Sequence, residues 1–211
     1  MRSLEDSVVT AGRRTQAQRR AETREALIEA TIQAIVEKGH AGVTVNEVCR
    51  RAGVSHGGLF GRFDSLFDLV AAAAAEVGRR QIEGFVAKVA ALPDRRDIDA
   101  VLAIWLDAAR DPINTVWLEL TIAARTDAQL RERLSVVRDE YAAAMVADGG
   151  LAATRGLPPA QSVALGSIVI FCFDGFAIHT GTFPQPELDA LRLEAMTEMV
   201  RMYLQAHLVN D

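Results

Sequence analysis

Thr44-Val45-Asn46-Glu47-Val48-Cys49-Arg50-Arg51-Ala52-Gly53-Val54-Ser55-His56-Gly57-Gly58-Leu59-Phe60-Gly61-Arg62-Phe63 is the stretch whose reading decides the fold. Thr44 carries the side-chain oxygen of an N-cap. Glu47, three residues on, completes a capping box in which each side chain satisfies the other's free backbone donor. The helix so started turns Val45, Val48 and Cys49 towards a core and stops at Gly53, which can take a positive φ without a Cβ penalty. Ala52 is small where two helices must approach, and Val54 plugs the corner with an apolar side chain. Ser55 then caps a third helix of one or two turns containing His56, Gly57, Gly58, Leu59 and Phe60. This pattern predicts a helix-turn-helix, a unit that lays its second helix in the DNA major groove with N-terminal residues facing base edges.

Upstream, residues 1–16 are rich in Arg, Ser, Thr and Gln and read as a flexible tail. From about Ala17 to Lys38 there is no Gly or Pro, and Leu27, Ala30, Thr31, Ala34, Ile35 and Lys38 recur at the spacing of one buried helix face. Gly39 ends that helix as a C′ glycine. Downstream, Ser65 caps a long helix from Leu66 to Leu92, which Pro93 and Asp94 break. Further helices are expected over roughly Asp97 to Arg110, Ile113 to Arg125, Asp127 to Ala147, Pro159 to Gly181 and Pro186 to Leu208. Breaks fall at Asp111-Pro112, Asp148-Gly149-Gly150, Gly156-Leu157-Pro158-Pro159 and Thr182-Phe183-Pro184. The expectation is an all-α chain of about nine helices with no sheet. It divides into the tail, a helix-turn-helix domain over 17–64 and a helical ligand-binding and dimerisation domain over 65–211.

With 211 residues, 50% of them hydrophobic, the chain can bury a sizeable core. The formal charge of −5 is unevenly spread: residues 1–63 hold ten Lys and Arg against seven Asp and Glu. A basic N-terminal part on an acidic chain suits phosphate binding better than the total suggests. Cys49 and Cys172 lie far apart within apolar helical patterns and read as buried reduced thiols, with no spacing that holds a metal. No cofactor motif is present. Without an apolar signal core or a run of about 18 apolar residues, the sequence predicts a cytoplasmic protein that does not span a membrane.

The quoted stretch resembles the DNA-binding domain of the TetR family of repressors. In that family a first helix is followed by a Thr-capped second helix, an Ala-Gly-Val-Ser turn and a Gly-x-Leu-Tyr/Phe recognition helix. An aromatic residue then leads into a long fourth helix. These features fall on Thr44, Ala52 to Ser55, Gly58-Leu59-Phe60 and Phe63, and the match covers about Glu25 to Leu69. The resemblance implies a homodimeric repressor that binds a palindromic operator in double-stranded DNA and is released by a small-molecule effector. It also implies that the C-terminal helices form the ligand site and that the last two pair with their twins. The chain departs from the family at Phe60, often Tyr with a hydroxyl for phosphate, at Arg62, often His, and at Leu66, often Lys.

Candidate DNA contacts are Thr44, Asn46, Arg50, Ser55, His56, Gly57, Gly58, Phe60 and Arg62. Arg51 stands on the flank, and Arg13, Arg14, Arg19 and Arg20 can add phosphate or minor-groove contacts. Val163, Gly166, Ser167, Ile170, Phe171, Asp174, Gly175 and Ile178 mix small and bulky residues at helical spacing. Leu188, Leu191, Ala195, Met199, Met202 and Tyr203 follow the same rhythm, and both suit dimer packing. Ligand-site candidates are Trp105, Trp117, Glu119, Leu120, Phe171, Phe176 and His179, an apolar set with a few polar groups. Two other readings compete. An enzyme is disfavoured because the four histidines stand in no metal or triad spacing, and Asp174 and His179 share a helix but do not face each other. The other is a helical ligand-binding or adaptor protein that no longer binds DNA, suggested by Phe60, Leu66 and the paired glycines.

Overall fold

The computed structural model describes residues 15–147, 154 and 156–207. Of the expected tail, residues 1–14, which include Arg13 and Arg14, lie outside the described residues, as do the Asp148-Gly149-Gly150 break and Leu208. The described residues form nine α-helices and no strand. They are α1 (Gln16–Lys38), α2 (Val45–Ala52), α3 (His56–Phe60), α4 (Leu66–Ala90), α5 (Ile98–Arg110), α6 (Asn114–Ala124), α7 (Ala128–Ala147), α8 (Pro159–Thr182) and α9 (Pro186–His207). A 3-10 turn at His40–Gly42 joins α1 to α2.

Local chemistry fixes the ends. α1 starts at Gln16 because Thr15 and Gln18 form a capping box, with Thr15 Oγ1 accepting from the Gln18 amide at 3.1 Å and Gln18 Oε1 accepting from the Thr15 amide at 2.8 Å. Ser65 Oγ accepts from the Asp68 amide at 3.1 Å and starts α4. That helix stops two residues short of the expected Leu92, since the residue before Pro93 is disfavoured in the helical region. Asp97 sits outside α5 as its cap, accepting from the Asp99 and Ala100 amides at 3.1 and 3.2 Å.

One core runs from the N-terminal helices into the remainder. Leu27 and Ile35 of α1, Val48 of α2 and Leu59 of α3 pack in the same cluster as Leu69 and Val77 of α4, Val116 and Leu120 of α6, and Leu130 of α7. Each fully buried Leu, Ile or Val contributes roughly 1.5–3 kcal/mol. The helix-turn-helix is therefore fastened to α4, α6 and α7 by packing, not carried on a linker. A second core joins α5, α8 and α9 through Leu102, Leu106, Leu165, Phe173, Val200 and Leu204. A third, around Ile82, Phe85 and Val101, bridges α4 to α5.

α8 is more apolar than its broken pattern suggests, and one expectation fails on it. An 18-residue window of Pro159–Thr182 has a mean hydropathy of 1.7, so by length and composition this helix could cross a membrane. Interspersed Gly, Ser and Thr disguise the run in the sequence. Only 17% of that window is buried, and Val163, Ile168, Phe171 and Ile178 stand exposed on the single chain. Cys172 lies on this outer face and is exposed, whereas Cys49 is buried as expected.

Candidate nucleic-acid interface and ligand cavity

The turn between α2 and α3 is built as its residues require. Gly53 adopts the left-handed conformation with φ 65° and ψ 30°. A Cβ there would meet nothing within 4 Å, so backbone conformation alone calls for glycine. Ser55 Oγ accepts from the Gly58 amide at 3.1 Å and caps α3. The two recognition-helix glycines differ. At Gly58 a Cβ would stand 2.5 Å from Val54 Cγ1, the side chain that fills the corner, while at Gly57 it would meet open space. Gly58 is thus a packing glycine, and Gly57 leaves the outer face of α3 bare.

Thr44, Asn46, Arg50, Ser55, His56, Gly57 and Phe60 are all exposed on the α2–α3 unit. Thr44 Oγ1 accepts from the Glu47 amide at 3.2 Å, but the expected reciprocal bond is missing, because Glu47 is drawn to cations instead. Its carboxylate takes Lys38 at 2.8 Å, Arg50 at 2.9 Å and Arg51 at 2.7 Å. These bonds, Arg50's foremost, hold the Glu47 carboxyl well below the usual range. Arg51, 12% exposed, also reaches Glu37 at 2.6 Å and so ties α2 to α1 rather than pointing outward.

Arg62 is likewise turned inward: Nη1 donates to the Gly58 carbonyl at 3.1 Å, and Nε is buried without a hydrogen-bond partner. Of the first-helix arginines, Arg20 donates to the Gly61 carbonyl at 3.4 Å, and Arg19 is exposed.

A second site lies among α4 to α8. An inner chamber of about 50 Å³ is lined by Phe85, Trp105, Asn114, Trp117, Tyr141 and Asp174, among others. An outer chamber of about 240 Å³ shares Trp105, Trp117, Tyr141 and Asp174 and adds Gly166 and Phe171. Asp174 Oδ1 accepts from Asn114 Nδ2 at 3.0 Å, and Asn114 Oδ1 accepts from Gln81 Nε2 at 2.9 Å. Burial pushes the Asp174 carboxyl up, opposed in part by the Asn114 bond, and pushes the Tyr141 hydroxyl up to about 12.

Of the expected ligand-site residues, Trp105, Trp117 and Phe171 line this cavity, and the other four do not. Glu119 faces away, its Oε2 accepting from the His40 amide at 2.9 Å. Leu120 is fully buried in the first core. Phe176 packs on the second core, with the Arg110 guanidinium 5.6 Å from its ring centre. His179 is exposed, its ring 6.0 Å from that of Phe183. Sequence reasoning missed Phe85, Asn114 and Tyr141, and weighed Asp174 for helix packing and for catalysis but not for the ligand site. A signal was available for Asp174, the single charged residue in the long apolar run of α8.

Residues 27–78 match the sequence model of the bacterial regulatory proteins of the tetR family. The HTH-type transcriptional regulator Rv2912c of Mycobacterium tuberculosis is 41% identical over 194 residues, spanning 89% of this chain and 97% of that protein. The chain belongs to the TetR family of transcriptional regulators. Among solved structures, a TetR-family regulator from Rhodococcus sp. superposes with a TM-score of 0.63 at 22% identity, over 90% of this chain and 100% of that one. The multidrug binding protein EbrR, complexed with imidazole, superposes with a TM-score of 0.60 at 25% identity, over 89% and 96%.

Two predictions follow from how this TetR-family helix-turn-helix is built. Gly57→Ala is expected to leave stability unchanged or raise it by up to about 1 kcal/mol, since alanine favours helix and meets no neighbour. Gly58→Ala is expected to lose about 1–3 kcal/mol by overpacking against Val54; urea midpoints of the two variants check the order. Glu47's depressed carboxyl supports the fold above the ordinary glutamate pKa near 4.3 and loses that support as pH falls below it. The melting temperature of Glu47→Gln should therefore lie below wild type at pH 7, and the gap should narrow steadily as pH falls below 4, as read by circular dichroism.

Proposed function

We propose that the chain is a cytoplasmic, homodimeric repressor that grips a palindromic operator through two copies of α3 and leaves it when a small molecule fills the α4–α8 cavity. The observation that carries this reading is the helix-turn-helix with its outer face bare: Thr44, Asn46, Arg50, Ser55, His56, Gly57 and Phe60 are exposed together. Thr44, at the N-terminus of α2, suits a phosphate through its hydroxyl and the helix dipole. Arg50 is offered to phosphate while Glu47 holds it in place, and His56 stands where α3 meets base edges. Arg62 and Gly58 shape α3 from behind. The domain limits are proposed at 17–64 for the DNA-binding part and 65–211 for the rest, although one core spans both.

Dimerisation is supported by apolar surface that the described residues of one chain leave uncovered. Phe171 is 70% exposed on α8, and Leu191, Met199 and Met202 are each about 60% exposed on α9. Leaving such a surface in water is unfavourable, and a second copy placed by a two-fold axis covers both patches at once. A cavity of ligand size supports the effector, as does EbrR, a multidrug binding protein solved with imidazole. In this switch the effector meets Trp117 and Asn114 on one side of α6, and Glu119 on the other side holds the corner before α2. A ligand that favours one placement of α6 then favours one spacing of the two α3 helices.

Binding of the purified protein to duplex from the DNA flanking its own coding region tests the reading. The wild type is expected to sediment as a dimer and to bind with a log–log salt slope of about −4 or steeper, the release expected of four or more neutralised phosphates. Met199→Glu should give a monomer that binds at least tenfold more weakly. A monomeric wild type, or a Met199→Glu variant that binds as tightly as wild type, would contradict the proposal.

A further inference from the structure

Asp174 is a carboxylate without a counter-ion in an aromatic cavity. It accepts a single hydrogen bond, from the neutral Asn114 at 3.0 Å, and no Lys, Arg or His pairs with it among the described residues. Arg138, a cationic side chain that lines the outer chamber, bonds to Asp139 at 2.8 and 3.1 Å and is largely exposed. Asn114 is itself committed to Gln81 and to the Ala109 carbonyl, at 2.9 and 3.3 Å, and offers no further charge.

The surrounding surfaces are aromatic. Phe85 and Trp105 lie with ring centres 4.2 Å apart, and Trp117 and Tyr141 stack at 6.4 Å. All four line the chamber that holds Asp174. A charged carboxylate in apolar surroundings is unfavourable unless it takes up a proton or a positive charge joins it, and a cation that binds there favours the charged form. Aromatic faces attract cations but do nothing comparable for anions. A metal ion is poorly suited, since it asks for several oxygen ligands and no group of three or more His, Cys, Asp or Glu residues gathers among the described residues. An organic cation satisfies both the charge and the walls. The outer chamber, at about 240 Å³, lies just under the usual pocket range of about 300–1,000 Å³ and limits the guest to a small one.

We propose that the cavity takes a small organic ammonium ion with an apolar body, its charge beside Asp174 and its substituents against Trp105, Trp117 and Tyr141. This deepens the effector reading above and rests on it for the consequence at DNA, but not for binding itself. Arg138, paired with Asp139 and largely exposed, lines the outer chamber but not the inner one, where Asp174 lies among the aromatic rings.

The test compares benzyltrimethylammonium with its uncharged carbon isostere, neopentylbenzene, by calorimetry on wild-type protein and on Asp174→Asn. Asparagine keeps the side chain's shape and an oxygen to accept from Asn114. The cation is expected to bind wild type at least tenfold more tightly than the isostere, and Asp174→Asn to lose at least tenfold for the cation and less than threefold for the isostere. A parallel pair, Trp117→Phe and Trp117→Leu, should respectively keep and weaken cation binding. Equal binding of the two probes, binding of neither, or an Asp174→Asn variant with undiminished cation affinity would overturn the proposal. Binding that passes these tests but leaves DNA affinity unchanged would uphold the cation site and overturn the effector reading.

Discussion

The contact on which the rest depends is the grip of the Glu119 carboxylate on the corner between α1 and α2. Glu119 Oε2 accepts from the His40 amide at 2.9 Å. Gly39, beside it, holds φ 69° and ψ 174°, a region essentially reserved for glycine. A Cβ on Gly39 would also stand 2.9 Å from Glu119 Oε2. Conformation and space both demand glycine, so the close approach of α6 to this corner is built into the chain. Together with the core shared by α1, α4 and α6, it makes the helix-turn-helix an extension of helices that line the cavity. In the proposed switch, a displacement of α6 reaches α2 and α3 through this corner and the shared core.

The charges are arranged around that frame. Arg51 bonds to both Glu37 and Glu47 and locks α2 to α1, while Arg50, further round the helix, stays at the surface with one carboxylate partner. The N-terminal excess of positive charge is therefore partly structural, and the number of cations free for phosphate is smaller than the sequence suggests. In the proposed DNA complex, shape and phosphate contacts carry much of the recognition, because Gly57 presents no side chain and Phe60 no hydroxyl.

What could be read from the sequence was what local chemistry decides. Gly53, Ser55, Ser65 and the Pro93 break fix turns and helix ends through capping and φ restrictions that involve a few neighbouring residues. The cavity was only half legible, because which face of a helix meets which neighbour is a tertiary matter. Trp117 lines the cavity, but Glu119 lies two residues on, roughly 200° round the helix, and meets the α1–α2 corner instead. Phe176 stands in the same relation to Asp174 and packs on the second core. Tyr141 and Asn114 come from α7 and α6, and no spacing in the chain links them to Asp174. The apolar face of α8 was read as packing surface, yet the interspersed Gly and Ser concealed how much of it one chain leaves uncovered.

The central claim is that occupancy of the cavity and grip on DNA are linked through Glu119. The direct measurement is the affinity for operator duplex, by fluorescence anisotropy, with and without saturating benzyltrimethylammonium, for wild type and for Glu119→Gln. The account predicts that the cation weakens wild-type binding by about fivefold or more, within the usual span of allosteric coupling. In Glu119→Gln that factor should shrink towards one while the cation still binds. An unchanged factor in the variant, or no effect of the bound cation on wild type, would contradict it.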